Sequence, residues 1–114
     1  MSTLMEGRQF QLWEYRVSHG SLLIRSPAGP GIETSVDIVC VGVEYIAAPS
    51  YLGEVVFSDA TTSEMQMLSS MLRKPVSSSQ VWVLEGLFGR CLLVAVALIV
   101  KEHLGDIFES PFSN

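Results

Sequence analysis

Residues 91–100 read CLLVAVALIV, ten apolar residues in a row between Arg90 and Lys101. No other stretch of the 114-residue chain is as hydrophobic and as uninterrupted, so we expect the remaining elements to pack around it. A helix needs about 20 apolar residues to span a bilayer. A run of half that length therefore predicts interior structure and not a membrane segment.

The conformation of this run is open from the sequence, because periodicity cannot separate helix from strand where every position is apolar. Leucine and alanine within the run, with Lys101 and His103 near its end and Gly105 beyond them, would suit a helix of about three to four turns. The β-branched residues of the run, and the strand and turn expected before it, favour a strand. We predict one long strand.

A second apolar run, residues 36–46 (VDIVCVGVEYI), predicts a central strand, because both of its faces are apolar. Shorter segments rich in β-branched and aromatic residues predict further strands. They are residues 10–17, 21–25, 53–58 and 80–85. The first two of these flank a Ser-His-Gly turn and are expected to form a hairpin.

One helix is predicted over residues 61–73. Thr61 and Glu64 have the spacing of a capping box, and apolar residues follow them at helical spacing. Pro75 lacks a backbone donor and prevents the helix from continuing.

These elements predict an α+β fold with a mostly antiparallel sheet of about six strands and one helix packed on one face. The chain is long enough to bury a core without disulfides or metal. We expect a single domain over residues 1–114, of which residues 1–8 form a flexible arm.

Charge and cysteine content argue against several classes of function. The net charge is −5, and the lysines and arginines are scattered except for Arg73 and Lys74. No basic stripe could follow a phosphate backbone, so we expect no nucleic-acid partner. The start of the chain lacks the basic and apolar segments of a secretory signal. With Cys40 and Cys91 in apolar runs, we expect a cytoplasmic protein with reduced thiols and no membrane partner.

The low charge content predicts self-association. Charged residues make up 17% of the chain and apolar residues 48%, whereas an average soluble domain has roughly 25% charged residues. So few charges cover a small surface poorly, and part of the apolar surplus is expected to be buried against a second copy. We predict a homo-oligomer, most simply a dimer.

Sequence motifs that indicate catalysis or cofactor binding are lacking. The chain contains no GxGxxG, P-loop, CxxC or HExxH pattern. The PAGPG segment at residues 27–31 has glycines but no lysine, and no helix pattern follows it. We predict no catalytic residue, no cofactor and no metal site.

Four residues are candidates for binding: His19, His103, Trp13 and Tyr15. His19 lies at an exposed turn and could act as a general base if Asp37 lay on a neighbouring strand, although a turn bonded to its local backbone is far more common. His103 lies among acidic residues where the long apolar run ends. Trp13 and Tyr15 could form a binding surface, although aromatic residues more often fill sheet faces.

Three stretches resemble a family of small uncharacterised bacterial proteins. They are LWEYRVSHGSLLIRSP (12–27), VDIVCVGVEYI (36–46) and IFESPF (107–112). The resemblance implies neither an activity nor site residues. In general character, as a small acidic domain, the chain is also similar to immunity proteins that neutralise toxins.

These observations favour a non-enzymatic cytosolic interaction domain that self-associates and binds a protein partner, in the manner of an immunity protein. The alternative is a small enzyme or ligand-binding protein with a pocket near His19 or His103. A third hypothesis is a purely structural subunit with a large apolar interface and no pocket.

Overall fold

A computed structural model of the chain describes residues 5–104, which form nine strands and one α-helix. The strands are β1 (Phe10–Arg16), β2 (Ser21–Ser26), β3 (Ser35–Val41), β4 (Tyr45–Ala47), β5 (Tyr51–Gly53), β6 (Val56–Ser58), β7 (Val81–Gly86), β8 (Gly89–Val94) and β9 (Ala97–His103), and the helix is α1 (Thr62–Leu72). Short 3-10 turns cover residues 17–19 and 78–80.

The strands form two antiparallel sheets. The first sheet has the order β5-β1-β2-β3-β9, and the second has the order β4-β8-β7-β6. The predicted class, α+β with antiparallel strands and one helix, is confirmed. The predicted count was imprecise, because nine strands in two sheets replace about six strands in one sheet.

Three of the predicted strands account for the difference, because each is divided between the two sheets. Residues 36–46 contain most of β3 and of β4, residues 53–58 contain the end of β5 and all of β6, and residues 91–100 contain parts of β8 and β9. In each pair, one strand belongs to the first sheet and the other to the second. Bent strands that change sheet are how packed sheets with crossing strands turn their corners.

The two long apolar runs bend side by side at one corner. Gly42 has a φ of 64°, in the left-handed region that favours glycine. The Val96 N–H donates to the Val41 carbonyl at 2.9 Å, and the Glu44 N–H donates to the Val94 carbonyl at 2.8 Å. A Cβ on Gly42 would lie 2.6 Å from Cγ2 of Val96. The corner is therefore closed by backbone hydrogen bonds and by close packing against a glycine.

The predicted extended conformation of the run at 91–100 is confirmed, but the single long strand is wrong. The residues at 91–95 are buried, whereas Val96 and Ile99 are 65% and 56% exposed. β8 pairs with β7 and β4 in the second sheet, and β9 pairs with β3 in the first. The first half of the run is thus buried, whereas the second half forms a sheet edge from which Leu98 and Val100 pack against the core.

The core lies between the two sheets. Its largest fully buried apolar side chains come from strands of both sheets. They include Phe10, Leu22, Ile24, Ile38, Leu52, Leu84 and Leu93. Burial of such side chains removes apolar surface from water and is the main stabilising term of the fold.

Helix α1 confirms the helix predicted at 61–73. The Glu64 N–H donates to Oγ1 of Thr61 at 3.1 Å, and the Thr61 N–H donates to Oε1 of Glu64 at 2.8 Å, which completes the predicted capping box. Leu68 is the buried residue of the helix. Ion pairs from Glu64 to Arg90 and from Lys74 to Glu44 hold the two ends of the helical segment to the second sheet. The helix therefore covers the outer face of that sheet.

Part of the predicted arm is anchored in the structure. Met5 is buried, the Gly7 N–H donates to Glu54, and the Arg8 side chain donates to Thr34. Residues 1–4 and 105–114 lie outside the described residues, and so does the resembling stretch at 107–112. Among the described residues, no helix has the length and apolar character needed to cross a membrane.

Candidate functional site

A buried group of charged side chains lies on the face of the first sheet that points away from the core. Nε and Nη2 of Arg25 donate to Oδ1 and Oδ2 of Asp37 at 2.7 Å and 3.0 Å. Nε2 of His103 lies 2.9 Å from the same Oδ2. The Arg25 guanidinium also lies over the Trp13 ring, 5.4 Å from its centroid. We call Trp13, Arg25, Asp37 and His103 the Arg25 cluster.

Strand register brings these four residues together. Arg25 on β2 is directly opposite Asp37 on β3, and Ser35, two residues before Asp37, is opposite His103 on β9. Residues that face each other across a ladder point to the same side of the sheet, as do residues two apart on one strand. The cluster thus occupies one face across β1, β2, β3 and β9.

The Arg25 cluster is better suited to holding strands together than to catalysis. Asp37 forms a bidentate ion pair with Arg25, and the side chains of both residues are 1% exposed. Ser35, the residue opposite His103, accepts a hydrogen bond from the Ala28 N–H through its Oγ at 3.0 Å. These contacts join Arg25, Asp37 and His103 in one group across three strands.

Two of the four predicted binding residues, Trp13 and His103, meet in the Arg25 cluster. Tyr15 does not, because it pairs with the core residue Leu22 and therefore faces the other side of the sheet. His19 lies in the 3-10 turn before β2, where its Nδ1 is 3.1 Å from Oγ of Ser18. That turn is at the opposite end of β2 from the cluster.

An open groove of about 790 Å³ lies at the end of the molecule where the arm meets the loop between β2 and β3. Its walls are formed by residues 6–8, by residues of the loop at 29–34, and by Glu102. We call it the arm groove. Glu102 and His103 are neighbours on β9 and point to opposite faces, so the groove and the Arg25 cluster lie on different sides of the sheet.

The charge of the arm groove is predominantly acidic. Of the described residues that line it, three are glutamates (Glu6, Glu33 and Glu102) and one, Arg8, is a cation. Nη1 and Nη2 of Arg8 donate to the carbonyl and Oγ1 of Thr34 at 2.8 Å and 2.6 Å, and Nη2 lies 3.4 Å from Glu102. The arginine is thus engaged in closing the wall of the groove, which leaves the groove suited to a cationic ligand.

Exposed apolar side chains concentrate in two further places. One lies around the start of β9, where Val96, just before the strand, and Ile99, within it, lie near Val41, which is 36% exposed. The other is the turn between β7 and β8, where Leu87 and Phe88 are 66% and 71% exposed. Such side chains at a sheet edge or a hairpin tip are available to a partner.

The thiols of Cys40 and Cys91 are expected to be poorly reactive. Burial raises the pKa of the Cys40 thiol to about 12 and also raises the pKa of the Cys91 thiol. Since the thiolate is the reactive form and the metal ligand, neither cysteine is suited to nucleophilic chemistry. In the part of the chain that the structure describes, no three His, Cys, Asp or Glu side chains come together as a metal-binding group.

Comparisons of the chain with protein-family models, with curated proteins and with solved structures give no match.

Sequence reasoning missed Arg25 as a site residue and did not place Arg8 or Thr34 at a groove. A charged residue in the middle of each of two apolar strands, Arg25 in SLLIRS and Asp37 in SVDIVCV, was the available signal. Opposite charges on neighbouring strands indicate a cross-strand pair. The arm groove depends on contacts between distant segments and has no equivalent pattern in the sequence.

Proposed function

We propose that this chain is a non-enzymatic protein-interaction domain that associates with a second copy of itself. The observation that carries the proposal is a pair of large apolar side chains beside a sheet edge: Val96, just before β9, and Ile99, within β9, are 65% and 56% exposed. Burial of these side chains against a second copy would stabilise a dimer, because removal of apolar surface from water contributes about 25 cal/mol per Å².

The ion pairs within the chain also support the proposal of a non-enzymatic interaction domain. Five of the seven lysines and arginines form ion pairs with carboxylates of the same chain. They are Arg8, Arg16, Arg25, Lys74 and Arg90. Groups of this kind hold strands and helix in place, which suits an interaction domain better than an enzyme. The cytoplasm is the compartment we propose, because both cysteines are free and buried.

Sedimentation equilibrium tests self-association directly. At protein concentrations of about 10 to 100 μM, we expect a species of about 25 kDa, twice the 12.5 kDa of one chain. A mass that stays at 12.5 kDa over this range would remove self-association from the proposed function.

A second candidate function is favoured by the arm groove: capture of a basic segment of another protein, as an immunity-type inhibitor would do. Three carboxylates line the groove, and its arginine is already bonded to Thr34. A protruding arginine or lysine side chain would find complementary charge there. The acidic lining of the arm groove would equally suit a small cationic ligand, which is the alternative occupant of this groove.

Titration with charged peptides tests the second candidate. We expect an arginine-rich peptide to bind and an aspartate-rich peptide of equal length to have no effect, measured by calorimetry at low salt. Glu33→Gln should weaken binding of the basic peptide. The matched control, Asp59→Asn, removes the same kind of charge outside the groove and should not. Equal losses in both variants would mean that binding follows net charge and not the groove.

A further inference from the structure

The two sheets have four edge strands, and one of them differs from the rest. β4, β5 and β6 have three residues each, whereas β9 has seven. β9 pairs with β3 on one side, and among residues 5–104 no strand pairs with its other side. A long edge of this kind presents a row of backbone donors and acceptors that a further strand can complete.

The side chains of β9 divide the strand into an apolar half and a charged half. Ala97, Leu98, Ile99 and Val100 are followed by Lys101, Glu102 and His103. Proteins usually protect their edges with short strands or with charges along the strand. In β9 the charged residues lie only at the C-terminal end of the strand. Ile99, in the apolar half, remains 56% exposed.

We propose that β9 pairs with β9 of a second copy, antiparallel and centred on Ile99, so that each first sheet continues into the other. This inference rests on the proposed self-association and names its surface. A two-fold axis perpendicular to the sheet relates the strands, as in an isologous interface. Two sheets of five strands would then form one of ten, which is within the size that open sheets reach.

The centre of the register follows from side-chain pairing. With Ile99 facing its copy, Leu98 faces Val100 and Ala97 faces Lys101. A register centred on Lys101 would set two like charges directly opposite each other, which is destabilising. One centred on Val100 would set Ile99 against Lys101. The register centred on Ile99 therefore keeps the apolar side chains in the middle and the charges at the rim, as interfaces usually do.

This arrangement keeps the two acidic grooves apart, although the net charge of each copy still opposes association at long range. Each copy carries a net charge of −5, and the arm groove with its carboxylates lies beside Glu102. In the register centred on Ile99, position 102 faces position 96 of the other copy. The two grooves thus lie at opposite ends of the paired strands, away from the axis and from each other.

Disulfide trapping tests the register. Directly opposite residues of an antiparallel pair have Cβ atoms about 4.5–5.5 Å apart, close to what a disulfide requires. We expect Ile99→Cys to form a covalent dimer under oxidised glutathione. Lys101→Cys and Leu87→Cys should do so about tenfold more slowly. Cys40 and Cys91 give little background, since both are buried.

A charge substitution gives an independent readout. Ile99→Lys places two lysines opposite each other and should weaken dimerisation about tenfold or more, measured by sedimentation equilibrium. Phe88→Lys, at an exposed apolar residue on the turn between β7 and β8, is the matched control and should leave dimerisation unchanged. Circular dichroism and urea unfolding of both variants check that the fold is intact.

The outcomes distinguish failure of the proposed β9 interface from failure of self-association itself. If Ile99→Cys cross-links no faster than Leu87→Cys, or if Phe88→Lys and not Ile99→Lys abolishes dimerisation, the β9 surface is overturned while self-association stands. If the wild-type chain is a monomer, self-association and its proposed surface both fail. Selective cross-linking at Ile99, with loss of the dimer in Ile99→Lys, supports the proposal.

Discussion

Arg25 and Asp37 are charged side chains placed where water reaches neither of them. Both are 1% exposed and joined by two hydrogen bonds, with His103 on the same carboxylate. Withdrawal of two charges from water offsets most of what their attraction contributes, so such a pair adds little net stability. The energetic importance of the pair appears when one partner is removed and the other stays buried without its opposite charge.

Removal of Asp37 is therefore expected to be costly. Asp37→Ala leaves the Arg25 guanidinium buried without its carboxylate, and we expect the free energy of unfolding to fall by about 3 to 5 kcal/mol. Urea unfolding followed by tryptophan fluorescence measures the change. The double variant Arg25→Met with Asp37→Leu replaces the pair by apolar side chains and should recover most of the loss. A double variant as unstable as Asp37→Ala would contradict this explanation.

At the scale of single elements, the start of α1 shows how one carboxylate serves two contacts. Glu64 accepts from the Thr61 N–H in the capping box and pairs with Arg90 of β8 through both of its oxygens. The hydrogen bond from Arg90, with that from Thr61, lowers the pKa of Glu64 from 4.5 to about 2. The ionised form of Glu64 is thus the one that the fold favours.

A pH dependence follows from this lowered pKa. Since the pKa of Glu64 is lower in the folded chain than in the unfolded chain, its contribution is complete above pH 4.5 and is lost as the pH falls toward about 2. The difference in free energy of unfolding between wild type and Glu64→Gln should therefore shrink over that interval. Urea unfolding at several pH values measures it. A difference that does not change with pH would contradict the assignment.

The corner between β3 and β4 is the second element with a measurable consequence. Gly42→Ala requires a φ of 64° from a residue with a side chain and places Cβ 2.6 Å from Cγ2 of Val96. The backbone term alone costs about 1 to 2 kcal/mol, and overpacking adds about 1 to 3 kcal/mol. We expect Gly42→Ala to destabilise the chain by more than either term alone, measured by urea unfolding.

Gly31→Ala is the matched control for this corner. Gly31 has a φ of 77°, and an added Cβ would meet nothing within 4 Å, so it reports the backbone term without the clash. Adding Val96→Ala to Gly42→Ala removes the clashing Cγ2 and should give a favourable coupling energy. Equal losses for Gly42→Ala and Gly31→Ala would show that packing at the corner is unimportant.

These elements also show what sequence patterns can resolve. The capping box and Pro75 predicted the helix to within a residue at each end, because they act within a few positions of the chain. The bends after β3 and β8 were missed. A run that is apolar on both faces has no alternation that could reveal where the strand changes sheet.

For the whole molecule, the proposed dimerisation depends on the balance between apolar surface and charge. Each chain carries a net charge of −5, so two copies repel each other at long range. Salt screens this repulsion, and the screening length is about 10 Å at 0.1 M and about 30 Å at 0.01 M. We expect dimerisation to be stronger at about 0.1 M salt than at about 0.01 M salt, as measured by sedimentation equilibrium. Weaker dimerisation at high salt would instead indicate ion pairs across the interface.

The sequence by itself determined the local features of this protein: which segments are extended, where the single helix begins and ends, and that the chain belongs to the α+β class. It also placed Trp13 and His103 among the candidate residues. Tertiary structure alone decided that three runs bend from one sheet to the other, that Arg25, Asp37 and His103 share one face, and that β9 is a long edge. The reason is physical, since helix caps act between neighbours in sequence, whereas strand register and sheet edges depend on contacts between distant segments.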